Sequence, residues 1–262
     1  MTTFTDLIAS MTPNGENAFV CDVPASWMQG RTLYGGLSAA LCLEAARRAL
    51  PDLPPLRSAQ ISFIGPAGGE VTIKPSLLRR GRSVTFAGAD IYGEKGLATR
   101  CVFAFGAARA SRFDQSFIEP PEAPSIADSE VFIPPGLGPS FADNYENLLA
   151  KGGRPISNST EHDHFIWVRH KDQKATDIVA LLALADMPPP AMMPMFSEPA
   201  PISSVTWLVN MLTDHPQTED GWWLMESRAE NASEGYSSQD MLVWNTKGEA
   251  TIAGRQSVAI FT

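Results

Sequence analysis

The most constraining feature of the sequence is an order of elements that occurs twice. In the first half, a helix predicted for LSAALCLEAARRAL is stopped by Pro51 and followed by four strands, the last two joined by the turn GEKG. In the second half, a helix predicted for TDIVALLALAD is stopped by PPP and followed by four strands, the last two joined by NTKG. A repeat of this length indicates two similar modules rather than a solenoid.

Equivalent points of the two halves are similarly spaced. Lys95 and Lys247, which open KGLAT and KGEAT, are 247 − 95 = 152 residues apart, and Gly36 and Asp177, which open the two helices, are 177 − 36 = 141 apart. Alternating strands with glycine turns are typical of antiparallel sheets, and a helix is the usual cover for the apolar face of such a sheet. We therefore predict an α+β fold in which each module wraps a curved antiparallel sheet round a long helix.

The predicted division of the chain follows from a change in composition between the two repeats. The segment FDQSFIEPPEAPSIADSEVFIPPGLGPS is rich in proline and acidic residues, which is typical of an extended linker. The predicted domains are therefore an N-terminal module at 1–110, a linker at 111–140 and a C-terminal module at 141–262.

The charge balance limits the classes of partner. The net charge is −9 and the sequence contains no basic block, so we expect neither a nucleic-acid partner nor attraction to an anionic membrane. No segment approaches the roughly 20 apolar residues of a membrane span, and MTTFTDLIASM lacks the pattern of a signal peptide. These features predict a cytoplasmic protein.

The cysteines and histidines do not predict a metal site. Three cysteines without a CxxC spacing form neither a disulfide framework nor a zinc site. The stretch EHDHFIWVRH places His162 and His164 on one face of a strand, but it follows a loop and no further ligand is evident. We expect no metal and no cofactor.

Three motifs carry a resemblance to a known family. They are GRTLYGGLSAALCLEAA at the first helix, WVRHKDQKATDIVALLALAD leading into the second, and the terminal TKGEATIAGRQSVAIF. In order and spacing they resemble the double-hotdog acyl-CoA thioesterases of the thioesterase II type. The resemblance implies a double-hotdog fold, hydrolysis of a fatty acyl-CoA to free acid and CoA, and acyl-CoA as the substrate. Hotdog sheets often pair with one another, so a homo-oligomer is compatible with this fold.

The resemblance also implies a set of site residues. The family uses an aspartate at the start of the second helix, a hydroxyl residue on the next strand and a glutamine near the carboxyl end. These positions correspond here to Asp177, to Ser203 with Ser204 as its neighbour, and to Gln256. Such residues can hold and activate a water molecule against a thioester carbonyl, and this reaction needs no metal.

The glycine pair at the first helix suggests a further part of the site. Gly35 and Gly36 stand where a capping serine or aspartate is usual. Glycine lets a thioester carbonyl approach the unpaired N–H groups of a helix start, so we expect an oxyanion site there. Close packing of the helix is the simpler interpretation of the same pair.

Two other functions also stay open: a non-catalytic binder of acyl-CoA or another apolar ligand, and a hotdog hydratase or dehydratase.

Overall fold

A computed structural model describes residues 2–261. Within this range the first half contains two α-helices and eight strands: α1 (Phe4–Ser10), β1 (Thr12–Pro13), β2 (Phe19–Val23), β3 (Met28–Gln29), β4 (Thr32–Leu33), α2 (Gly35–Ala49), β5 (Leu56–Phe63), β6 (Gly69–Arg80), β7 (Thr85–Gly93) and β8 (Gly96–Phe105). The second half comprises β9 (Glu130–Val131), β10 (Tyr145–Gly152), β11 (Asp163–His170), α3 (Ile178–Leu184), β12 (Ile202–Met211), β13 (Trp223–Ser233), β14 (Tyr236–Trp244) and β15 (Ala250–Ile260). Short 3-10 turns occupy Ala25–Trp27, Ile126–Asp128, Ser140–Asn144 and Met193–Met195.

Thirteen of the described strands form one sheet, in the order β1-β2-β6-β7-β8-β5-β12-β15-β14-β13-β11-β10-β9. Every neighbouring pair is antiparallel, so the predicted α+β class is confirmed. The halves meet where β5 pairs with β12. Outward from this junction, β5-β8-β7-β6-β2 corresponds to β12-β15-β14-β13-β11, so the two halves have the same strand order.

Helix α2 lies in the core of the molecule. Every residue from Gly36 to Ala46 except Glu44 is buried, and the helix packs on β6, β7, β8 and α3. Its small alanine side chains allow this close approach to the sheet. Arg47 and Arg48 occupy the last turn, where positive charge complements the helix dipole.

Helices α2 and α3 lie antiparallel against each other. At one end, the hydroxyl of Tyr34, just before α2, donates to the carbonyl of Ala183 near the end of α3, across 2.6 Å. At the other end, Arg47 of α2 lies 3.2 Å from Asp177, which caps α3. The start of α2 is therefore adjacent to the end of α3, and this arrangement positions the candidate site.

The segment predicted as a linker runs along the second half of the sheet. Glu130 and Val131 form β9, which pairs with β10. The indole N–H of Trp167 on β11 donates to the carbonyl of Pro124 across 3.0 Å. In residues 2–261, no helix has the length and apolar character needed to cross a bilayer.

Candidate active site

Asp186 lies two residues beyond the end of α3 and next to the start of α2. Burial raises the pKa of this carboxyl to about 7, while hydrogen bonds from the Gln256 side chain and the Gly36 backbone oppose the rise. The residue is still partly accessible to solvent. A partly accessible carboxylate with a pKa near neutrality is suited to accept a proton from water at physiological pH.

Gln256 on β15 connects this carboxylate to a hydroxyl group. Its Nε2 donates to Asp186 Oδ1 across 2.9 Å and to Ser204 Oγ on β12 across 3.1 Å. Gln256 is buried and Ser204 is partly buried. Both hydrogens of the amide nitrogen are therefore used, and the Ser204 hydroxyl hydrogen is available to another acceptor.

The two glycines at the start of α2 permit this arrangement. A Cβ on Gly35 would lie 2.6 Å from Asp186 Oδ2 and 3.0 Å from the Phe63 ring. A Cβ on Gly36 would overlap the carbonyl oxygen of Ala183 and the Tyr34 ring. The glycines thus let α2 pack closely against the end of α3 and let Asp186 reach the unpaired N–H groups of the helix start.

The residues predicted from the sequence fall in two groups. Gln256, Gly35 and Gly36 lie together around Asp186. Asp177 does not join them, because α2 and α3 are antiparallel and it lies at their opposite end. There its side chain accepts from the Ala180 backbone N–H across 2.9 Å and pairs with Arg47 on the surface.

Ser203 is also outside this cluster. It is exposed, and its hydroxyl donates to the carbonyl of Ser204 across 3.3 Å. Successive residues of a strand point to opposite faces, so Ser203 and Ser204 cannot both face Gln256. The groups that the Gln256 amide nitrogen contacts are thus Ser204 and Asp186, and not Ser203 and Asp177.

In the sequence, Asp186 is the last residue of TDIVALLALAD, the stretch predicted as the second helix. The sequence does contain a signal that Asp186 is buried, because Asp186 is the single charged residue between Ile178 and Pro190. An acidic residue within an apolar stretch is expected to be buried, and a buried carboxylate requires hydrogen-bond partners.

The first half of the sheet lacks the equivalent side chains. A bulge follows Leu56 in β5 and Ser204 in β12, so these two residues correspond. Counted from the bulge, Phe103 of β8 corresponds to Gln256 of β15. The polar cluster is thus confined to one of the two similar halves.

No three His, Cys, Asp or Glu side chains converge as a metal-binding group among residues 2–261. The cysteines Cys21, Cys42 and Cys101 are free and buried. His164 and His170 lie on β11 and are buried, and burial lowers the pKa of each to about 4.

Solved structures similar to this one have the hotdog fold. A conserved hot dog fold protein from Alicyclobacillus acidocaldarius is 24% identical, with a TM-score of 0.87 over 100% of this chain and 99% of that protein. The tesB protein of Mycobacterium avium is 15% identical, with a TM-score of 0.79 over 99% and 100%. The acyl-CoA thioesterase II TesB2 of Mycobacterium marinum is 16% identical, with a TM-score of 0.79 over 98% of each chain. The chain is therefore a hotdog-fold protein.

The sequence itself matches two family models. Residues 23–106 match the acyl-CoA thioesterase N-terminal domain, and residues 119–260 match the acyl-CoA thioesterase C-terminal domain. No curated protein sequence is significantly similar to the chain. The two matches together span most of the sequence, and the chain belongs to the acyl-CoA thioesterase family.

Proposed function

We propose that the protein hydrolyses a fatty acyl-CoA thioester to free acid and CoA, with Asp186 as the general base. The contact of Asp186, Gln256 and Ser204 at the start of α2 carries this proposal. It combines a proton acceptor, a hydroxyl hydrogen and a helix start in one partly accessible place.

Asp186 takes a proton from the water molecule that attacks the thioester carbonyl carbon. The C–S bond then breaks, CoA leaves as the thiolate, and the proton held by Asp186 passes to it. Because both hydrogens of Gln256 Nε2 are already used, Gln256 acts by holding Asp186 and Ser204 in place. The Ser204 hydroxyl donates to the water or to the substrate.

The oxyanion is assigned to the start of α2. The N–H groups of the first helical residues, Gly35, Gly36 and Leu37, have no partner within the helix, because the first helical bond is from Ser38 to Tyr34. The Gly36 N–H interacts with Asp186, so we assign the thioester oxygen to the Gly35 N–H. The missing side chain of Gly35 lets the Asp186 carboxylate lie close to this helix start.

The same proposal includes a double hotdog with one catalytic site. The modules are 1–110 and 141–262, connected by 111–140. The equal strand order of the two halves supports this division. Phe103 and Leu56, which replace Gln256 and Ser204 in the first half, support a single site per chain.

The first experiment measures CoA release from a panel of acyl-CoA thioesters with a thiol-reactive dye. We compare the wild type with Asp186→Asn and Asp177→Asn. Asparagine keeps the shape of each side chain, and at position 177 it can still cap α3, so both variants should fold.

Loss of a general base costs about 10²–10⁴-fold in rate, which we expect for Asp186→Asn alone. Loss of activity in Asp177→Asn alone would return the site to the opposite end of the helix pair. Intact acyl-CoA bound by a wild type that hydrolyses none of the panel would favour the non-catalytic binder.

A further inference from the structure

A second buried glutamine lies behind Gln256. Gln239 on β14 is opposite Gln256 on β15, and its Nε2 donates to Gln256 Oε1 across 2.9 Å. Its own Oε1 accepts from the backbone N–H of Ala191 across 2.8 Å. Gln239 is fully buried, so it does not contact solvent.

These bonds determine the direction of both amides. The Ala191 N–H can only donate, so the group facing it must be the oxygen of Gln239. The nitrogen of Gln239 then faces Gln256, whose oxygen must accept. The nitrogen of Gln256 is consequently the end directed at Asp186 and Ser204. A reversed Gln256 would place its carbonyl oxygen against the carboxylate.

The two glutamines also hold both ends of one segment. Gln256 contacts Asp186, where the segment begins, and Gln239 contacts Ala191, where it ends. The three prolines of 188–190 between these contacts restrict the backbone. The position of the carboxylate therefore depends on both amides.

The fold does not itself require these buried amides. In the first half, Phe103 corresponds to Gln256, and its partner on the neighbouring strand is Ala87, which corresponds to Gln239. Both are buried and apolar. The same strand arrangement thus forms without polar groups, whose burial is costly unless they are hydrogen-bonded.

We infer that Gln239 is a positioning residue for hydrolysis, which fixes the amide of Gln256 with its nitrogen toward Asp186 and Ser204. This inference rests on the proposed function. Gln239 acts through Gln256, because it contacts Gln256 and Gln256 contacts Asp186 and Ser204.

The test uses two substitutions at position 239 and a stability control. Gln239→Met keeps the length of the side chain but removes both hydrogen bonds, so Gln256 is free to reverse. We expect kcat to fall roughly tenfold or more with little change in KM, because the lost interaction aligns the reacting groups rather than binding the substrate. Val243→Ala, a buried change on the same strand, should lower stability without this loss of kcat.

Gln239→Glu should change the pH dependence of activity, which a purely structural role of Gln239 would not do. When protonated, the introduced carboxyl can donate to Gln256 Oε1 as glutamine does. When ionised, it can only accept, and it turns the Gln256 nitrogen away from Asp186. Activity of this variant should fall as the pH rises and the introduced carboxyl ionises, over a range in which the wild type gains activity. Asp186 at the end of α3, His164 on β11, Tyr34 before α2 and Tyr145 on β10 are buried titratable groups of the surrounding elements.

The outcomes separate this inference from the proposed function. Hydrolysis by the wild type together with an unchanged kcat in Gln239→Met, or a wild-type pH profile in Gln239→Glu, would overturn the role of Gln239 and leave the thioesterase intact. A wild type that hydrolyses no acyl-CoA would overturn the function and this role with it. A low kcat in Val243→Ala equal to that of Gln239→Met would reduce Gln239 to a stabilising residue.

Discussion

The Gln256 amide nitrogen lies 2.9 Å from Asp186 Oδ1, and this contact connects the last strand of the sheet to the end of α3 across 70 residues of sequence. The carboxylate accepts a hydrogen bond from the neutral Gln256 amide, the Gly36 backbone also lowers its pKa, and neither partner carries a positive charge. A cation in contact would lower the pKa of the carboxyl by roughly 1–3. Neutral partners orient the carboxylate and still leave it basic enough to accept a proton near neutrality.

The pH dependence of the rate tests this environment. The base is active when ionised, so kcat/KM should rise about tenfold per pH unit below neutrality and level off above the Asp186 pKa of about 7. The measurement is CoA release between pH 5 and 8.5 at low substrate concentration. A profile that is already flat at pH 5 would show that a carboxyl with an ordinary pKa, or a different group, controls the reaction.

Stability should show the opposite pH dependence at the same residue. The folded pKa of Asp186 lies above its ordinary value of 3.8, so between about pH 4 and 7 the native state binds more protons than the unfolded state. Its contribution to stability is therefore present at low pH and lost as the pH rises through 7. Asp186→Asn removes this titration, and we expect its melting temperature to exceed that of the wild type at pH 8 but not at pH 4.

Thermal unfolding at both pH values measures this difference. His164 and His170 provide an internal reference because their folded pKa values are lowered to about 4. They make stability rise with pH between about 4 and 6.5 in both proteins, so this part of the curve should be shared. Equal melting temperatures of the variant and the wild type at pH 8 would contradict the assigned burial of Asp186.

The two glycines of α2 should respond differently to alanine. In Gly36→Ala the new methyl group overlaps the Ala183 carbonyl and the Tyr34 ring, so α2 and α3 must separate. Such overpacking costs about 1–3 kcal/mol of stability. In Gly35→Ala the methyl group meets Asp186 Oδ2, so the carboxylate must move and activity should fall more than stability.

Chemical unfolding and CoA release on the same preparations separate the two effects. If Gly35→Ala were as active as the wild type, the missing side chain would have no role in the site. If Gly36→Ala were as stable as the wild type, the close contact of the two helices would not be needed for folding.

The strands and α2 could be predicted because their signals are local. Alternating side chains with glycine turns mark the hairpins, and the small apolar residues before Pro51 mark the buried helix. The predicted helix began at Leu37, and the structure extends it to Gly35. The pairing of β5 with β12, which joins the halves, has no local signal, because it depends on edges that form only after each half has folded.

Part of the candidate site could be predicted because its signals are also local. Gln256 is an isolated amide in an apolar strand, and the glycine pair breaks the usual rule for a helix start, so each is visible in the sequence. Which of Asp177 and Asp186 lies beside Gly35, Gly36 and Gln256 depends on which end of α3 meets the start of α2, and the antiparallel packing of the two helices sets that. The choice between Ser203 and Ser204 depends on the face of β12 that Gln256 shares.

The hydroxyl of Ser204 provides a final prediction. Its oxygen accepts from Gln256 Nε2 across 3.1 Å, so Ser204→Ala removes both this acceptor and the hydroxyl hydrogen offered to the substrate. Loss of one donor in a preorganised site commonly costs about 10²–10³-fold in kcat. We expect a loss approaching this range in Ser204→Ala, recovery in Ser204→Thr, and wild-type activity in Ser203→Ala, because Ser203 is exposed on the other face. Steady-state CoA release from the three variants checks this order, and a loss confined to Ser203→Ala would reverse the assignment of the two serines.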